Sequence, residues 1–182
     1  MKGYTIYTKS SGVEVSATTA KKEGNGEVRK EGRVMLRFFG FGEKDRKSIR
    51  FILNPVEAHW IYLKTVEISR NGGKESFPHK FTGENGEVIT ILTIEKWERE
   101  GKSGYAMNIK RGDDKVNISI DISHFLYTGE LLRTLSTEQA WSQYKESEKT
   151  IEGEIHPTEE AATETTPKSA AEQTSEPTRA NP

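Results

Sequence analysis

The strongest constraint on the fold is that the body of the chain resembles itself. Residues 34–66, VMLRFFGFGEKDRKSIRFILNPVEAHWIYLKTV, lie without a gap over residues 103–135, SGYAMNIKRGDDKVNISIDISHFLYTGELLRTL, at an offset of 69. Asp45/Asp114, Ile49/Ile118, Leu63/Leu132 and Thr65/Thr134 are identical, and the residue classes agree further. Leu36, Phe38, Ile49, Phe51 and Leu53 fall on Tyr105, Met107, Ile118, Ile120 and Ile122, all apolar and of one parity. Strand side chains alternate between faces, so these positions predict the core face of a hairpin in each copy. The polar runs GEKDRK and RGDDK supply the two turns.

A helix is predicted after each hairpin. Asn54 is a preferred N-cap, Pro55 suits the first helical position, Glu57 completes a capping box, and PVEAHWIYLKTVEI follows. In the second copy Ser123 stands where Asn54 stands; Gly129 weakens that helix locally, and ELLRTLSTEQAWSQYKE carries it to about Lys145. GYTIYTKS and GVEVSATTAKK alternate upstream of the first hairpin. GEVITILTIEKWERE does so upstream of the second, after an expected loop RNGGKESFPHKFTGENG. The prediction is an α+β domain over residues 1–149, two repeats of antiparallel β-strands each followed by a helix.

Residues 150–182 read as a disordered acidic tail. From residue 151 the chain holds seven Glu against one Lys and one Arg and no aromatic residue, too little apolar surface to offset the entropy of ordering. Residues 1–150 hold 25 basic against 21 acidic side chains, so a net charge of −1 conceals a mildly basic body that suits a polyanion. The tail is expected to solubilise the chain, to compete with nucleic acid for the body, or to dock replication or repair proteins. With no cysteine and no apolar run at Met1-Lys2-Gly3-Tyr4, the expectation is a cytoplasmic protein with no membrane contact.

The repeat also supplies a control for which face is structural. At the offset of 69, Arg37, Phe39, Phe41 and Arg50 become Ala106, Asn108, Lys110 and Ser119, so the second face of the first hairpin is free to differ. Rings interleaved with guanidinium groups suit single-stranded nucleic acid, whose unpaired bases stack while its phosphates meet cations. Burial under a loop or in a protein interface is the competing account of the same rings. Gly40 and Gly42 either let a base approach or mark a bulge. Further candidates are Tyr7 with Lys9, Trp97 with Arg99, and Lys110 beside Arg111 at the second turn. Trp60 and Tyr62 lie on a helix and read as core or oligomer contacts, and Trp141 fits either role.

No catalytic or metal constellation stands out. His59, His79, His124 and His156 have no metal-ligand spacing, and Glu57 and His59, two apart on a helix, do not face each other. NGGK lacks the spacing of a phosphate loop. The expectation is a protein without cofactor or metal that is not an enzyme.

The hairpin-to-helix junctions SIRFILNPVEAHWIYL and VNISIDISHFLYTGELL, in two copies over residues 4–145, give an architecture that resembles the Whirly-like single-stranded nucleic-acid-binding fold of plant Whirly proteins and mitochondrial guide-RNA-binding proteins. Archaeal single-stranded DNA-binding proteins without an OB barrel are a looser likeness. The resemblance implies nucleic acid running along the sheets and helices packed together in a homo-oligomer. The plant signature Lys-Gly-Lys-Ala-Ala-Leu is absent, so no binding residue is transferred by position. The expected function is sequence-tolerant binding of single-stranded DNA, in protection, replication or repair. An RNA-binding or protein-interaction scaffold on the same face is the alternative.

Overall fold

The computed structural model describes residues 3–24, 27–41, 48–83 and 86–154. Strands β1 (Gly3–Tyr7), β2 (Ser11–Gly24), β3 (Glu27–Gly40) and β4 (Ser48–Leu53) form one antiparallel sheet in that order, followed by helix α1 (Pro55–Asn71). Strands β5 (Lys74–Gly83), β6 (Gly86–Arg99), β7 (Lys102–Arg111) and β8 (Asp114–Ile120) form a second, followed by α2 (Ile122–Glu154). The architecture is the α+β arrangement expected, two repeats of strands each followed by a helix.

Alternation sets the faces. In β4, Ile49, Phe51 and Leu53 are buried between exposed neighbours, and Val116, Ile118 and Ile120 repeat this in β8. Cross-strand pairs Leu36↔Phe51 and Phe38↔Ile49 put the same face of β3 inward, as Met107↔Ile118 and Ile109↔Val116 do for β7. These pairs correct the repeat. Phe38 corresponds to Ile109 and Ile49 to Val116, offsets of 71 and 67, because the first connection is longer than the two-residue turn at Gly112-Asp113. A slip of two residues preserves parity, so the core face is identified correctly although its partners are not. Ile122, expected on a strand, is instead the exposed first residue of α2.

The same correction moves the second cap. Around α1, Glu57 N–H donates to Asn54 Oδ1 (2.9 Å) and Asn54 N–H donates to Glu57 Oε2 (2.8 Å), the reciprocal box expected. At α2 the cap is Asp121 and not Ser123: His124 N–H donates to Asp121 Oδ1 (2.8 Å) and Phe125 N–H to the Asp121 carbonyl (3.0 Å). The expected loop 70–86 holds strand β5, whose Phe77↔Leu92 pairing continues the inward face and whose Pro78 is tolerated because β5 lies at a sheet edge. Helix α2 runs to Glu154, past the expected fading at Lys145. Residues 155–182, most of the acidic tail, and Gly42 lie outside the described residues.

Helices α1 and α2 pack on each other and on the inward faces of both sheets. Ala58, Ile61, Thr65 and Ile68 are the buried stripe of α1, and Phe125, Thr128, Leu132 and Ser136 that of α2. The helices approach closely at Gly129, where an added Cβ would lie 3.1 Å from Thr65 Cγ2. His79 stacks on Phe51 at 4.3 Å and its Nε2 lies 3.2 Å from Glu57 Oε1, fastening the second sheet to the first cap. No described helix is long and apolar enough to cross a membrane.

Two predictions follow from this packing. Gly129→Val should cost about 1–3 kcal/mol in urea unfolding through overpacking, and Thr65→Ala added to it should recover part of the loss. The Asp121 carboxyl is held below its ordinary pKa of 3.8, chiefly by the His124 backbone N–H and then by the His124 side chain. A depressed carboxyl stabilises the fold fully above its unfolded pKa and ceases to do so as pH falls through the folded value. Asp121→Asn should therefore flatten the fall of melting temperature below about pH 4.

Candidate nucleic-acid interface

Covering the inward faces leaves the outer face of each sheet bare. On the first sheet the outward rows are Tyr7↔Gly12↔Phe39↔Ser48, Thr5↔Glu14↔Arg37↔Arg50 and Gly3↔Ser16↔Met35↔Ile52. Phe39 leans across Gly12, where a Cβ would come within 2.6 Å of the ring, so the glycine is what lets the ring lie flat on the sheet. Tyr7 and Phe41 join it. Ring centroids are 6.0 Å apart for Tyr7 and Phe39, 5.4 Å for Phe39 and Phe41, and 6.1 Å for Tyr7 and Phe41, the last pair near-parallel at 22°. Tyr7 is 67% exposed and Phe41 49%, whereas Phe39 is half-buried beneath them. Phe41 lies just beyond β3, held by its N–H donating to the Ser10 carbonyl (2.9 Å).

Arg37 and Arg50 stand directly opposite each other, as the strand pattern suggests. Their surroundings differ. Arg37 pairs with Glu14 and lies over the Phe39 ring at 5.6 Å, and its Nε is buried without a hydrogen-bond partner among the described residues. Its charge is thus largely committed to holding the ring. Arg50 is exposed. Lys9, expected on the first strand with Tyr7, sits instead in the exposed bend between β1 and β2.

The second sheet carries Trp97, Arg99 and Lys110 on its outer face. Trp97 leans over Gly104, where a Cβ would lie 2.7 Å from the indole, repeating the device of Phe39 and Gly12. Trp97 and Arg99 line a groove with Glu95, Ala106, Asn117 and Ser119. It continues into one of ≈ 560 Å³ bordered by Lys74, Lys110 and Lys115. Lys110 is a strand residue opposite Lys115, not part of the turn. Corrected for the slip, Arg37, Phe39 and Arg50 correspond to Asn108, Lys110 and Asn117. The second face therefore replaces a clustered aromatic site with amides and lysines.

Two further residues come from the structure alone. Arg111, expected to be solvated, donates from Nε to Thr90 Oγ1 (2.9 Å) and from Nη2 to the Arg50 carbonyl (2.7 Å), and Ser11 Oγ donates to the Asn117 carbonyl (2.8 Å). The bonds to the Arg50 and Asn117 carbonyls cross between the sheets, the first of them tying down the strand that carries Arg50, while the bond to Thr90 holds the Arg111 side chain within the second sheet. Only the second sheet's approach to the first shows them, so no local sequence signal could. Elsewhere, Trp60 is exposed on α1 beneath Lys64 (5.1 Å) and Tyr62 packs partly against the core, with Arg133 5.9 Å from its ring. Trp141 is exposed on α2. Among the described residues no three His, Asp or Glu side chains gather as metal ligands.

The fold and these faces define a class, an α+β domain of two sheet-and-helix repeats with an aromatic and cationic outer surface. No protein-family model matches the sequence, and no curated protein matches it. Solved structures do. WHY1 from Arabidopsis thaliana is similar at 16% identity and a TM-score of 0.51, over 85% of this chain and 94% of that one. WHY3 from the same plant is similar at 17% and 0.53 (84% and 96%), and the plant transcriptional regulator PBF-2 at 18% and 0.54 (86% and 88%). At such identities the likeness establishes the Whirly-like fold.

Losing the Arg111 bridge should be visible in stability. Arg111→Ala is expected to lower unfolding free energy by about 1–2 kcal/mol, the net worth of two hydrogen bonds, with Arg111→Lys intermediate in the same urea titration.

Proposed function

We propose that the protein binds single-stranded nucleic acid on the outer face of its first sheet, without base specificity and without catalysis, and that DNA is its natural strand. The observation that carries this reading is the Tyr7, Phe39 and Phe41 cluster, exposed on a rigid sheet next to Arg50. A soluble sheet gains nothing from displaying three rings in contact unless they meet a partner. Unpaired bases fit, because each has a π-face and stacking contributes about 1–3 kcal/mol per base. Arg50 meets the phosphates, Arg37 positions Phe39, and Trp97, Arg99 and Lys110 extend the path on the second sheet. The likeness in fold to WHY1, WHY3 and PBF-2 supports the reading. Protection of exposed strands in replication or repair, in the cytoplasm, is the setting proposed.

The protein is also proposed to be a homo-oligomer. Val56, Trp60 and Leu63 recur at helical spacing on the outward side of α1, with Val56 78% exposed, and a second copy would cover them. Light scattering is expected to give a multiple of the chain mass; the mass of one chain at working concentration would refute it.

Binding is tested by anisotropy of a labelled mixed-sequence single-stranded DNA at two salt concentrations, with unlabelled RNA and duplex DNA as competitors. Tight binding that weakens with salt and that duplex fails to displace is expected. Tyr7→Ala should weaken it roughly 5- to 100-fold, the loss of one stacked base. Equal competition by duplex, or no binding at low salt, would overturn the reading, and stronger competition by RNA would reassign the strand.

A further inference from the structure

The outer face of the second sheet is built around a carboxylate with no close cation. Its two central rows are Lys74↔Glu95↔Ala106↔Ser119 and Ser76↔Thr93↔Asn108↔Asn117. Asn108 Nδ2 donates to Glu95 Oε1 (3.1 Å), and the Ser76 and Thr93 hydroxyls share a hydrogen bond (2.9 Å), so the sheet holds these groups in place. Glu95 Oε2 has only Lys74 near it, at 3.7 Å, longer than a hydrogen bond, and the Lys74 side chain is 61% exposed. Such a contact is weak. Ala106, opposite Glu95 on β7, is too small to close over the carboxylate.

Around this carboxylate stand the parts of a nucleotide site. Trp97 follows two residues along β6 on the same face, its indole laid over Gly104, and it lines one hollow with Glu95, Asn117 and Ser119. Asn117 is exposed, and its side-chain amide makes no hydrogen bond among the described residues. The adjoining hollow of ≈ 560 Å³ is inside the range of small-molecule sites, about 300–1,000 Å³. There Lys110 and Lys115 stand directly opposite each other, two exposed cations against Asp113. Like charges so placed destabilise a ladder unless an anion meets them. Ser11, the chain neighbour of the Gly12 beneath Phe39, donates to the Asn117 carbonyl (2.8 Å), so the β8 wall of the groove touches the strand that seats the aromatic cluster.

We infer that this groove is a guanine-selective subsite for one base of the bound single strand, with Glu95 as the residue that selects. The inference rests on the function proposed above and deepens it, adding one base-reading position to a surface that otherwise stacks any base. Unpaired bases are distinguished by the donors and acceptors on their exposed edges. Guanine alone carries two adjacent donors on its pairing edge, N1–H and N2–H, which match the two oxygens of a carboxylate. Adenine and cytosine offer one amino group there and thymine one N–H. Glu95 Oε1 keeps a lone pair beside its bond from Asn108, so both oxygens accept. The Asn117 amide donates to guanine O6, the base lies on Trp97, and Lys110 or Lys115 meets a phosphate.

The test is anisotropy of the full chain with a labelled oligothymidine whose central base is left as thymine or replaced by guanine, hypoxanthine or adenine. Guanine should tighten binding about 5- to 150-fold over adenine, the discrimination of one bidentate pair. Hypoxanthine, which lacks the N2 amino group, should fall between them. In Glu95→Gln, which keeps an acceptor for Asn108, the guanine and adenine strands should bind alike while the all-thymine strand binds as it does to wild type. Tyr7→Ala, in contrast, should weaken all four strands and leave their ratios unchanged. Should Glu95→Gln fold poorly, the base series on the wild-type chain decides alone. Guanine no better than adenine, hypoxanthine equal to guanine, or a guanine preference that persists in Glu95→Gln overturns the subsite while leaving the aromatic face standing. A wild-type chain that binds none of the strands at low salt overturns both.

Discussion

Everything at the surface depends on how the two sheets and two helices share one apolar core. Phe38 and Phe51 from the first sheet, Ile109 and Ile118 from the second, and Ile61, Phe125 and Leu132 from the helices belong to a single buried cluster. The bundle of α1 and α2 occupies the inner faces, so the outer faces can meet a ligand without disturbing what holds the fold. Rings on such a face are therefore informative where rings in the core are not.

The core was legible in the sequence because it depends on parity. Aligning the repeats at one offset mismatched each strand by two residues, yet every expected inward position on β3, β4, β7 and β8 is buried. Positions defined by partner identity did not survive. The slip placed Ile122 on a strand, named Ser123 as the cap, and set Phe39 against Asn108 in place of Lys110. Strand β5 escaped because Gly72, Gly73 and Pro78 punctuate it like a loop. Its edge position removes the penalty that proline carries elsewhere in a sheet. Of the site residues, the sequence gathered the rings and cations of β3 and β4 correctly onto one face, but it could not see that Glu14 engages Arg37 or that Arg111 crosses the sheets.

Glycine fixes the platforms on both sheets. Phe39 lies on Gly12 and Trp97 on Gly104, each ring filling the space a side chain would take on the neighbouring strand. A ring seated in this way has little rotamer freedom, so it would have little left to lose on meeting a flat partner. The device recurs while the residues around it diverge, from rings and arginines on the first sheet to amides and lysines on the second. The fold thus offers two prepared faces, of which only the first clusters its aromatics.

The row Thr5, Glu14, Arg37 and Arg50 shows how that first face is tuned. Two arginines opposite each other would repel, and Glu14 offsets one of them without leaving the sheet. What remains is roughly one positive charge beside the rings. The spacing between cation and rings is set by the register of the first sheet, and the Arg50 carbonyl also accepts a hydrogen bond from Arg111, which ties that strand to the second sheet. What makes the two repeats one domain is the buried cluster that both sheets and both helices share, and the cross-sheet bond adds to it at the rim of the outer face.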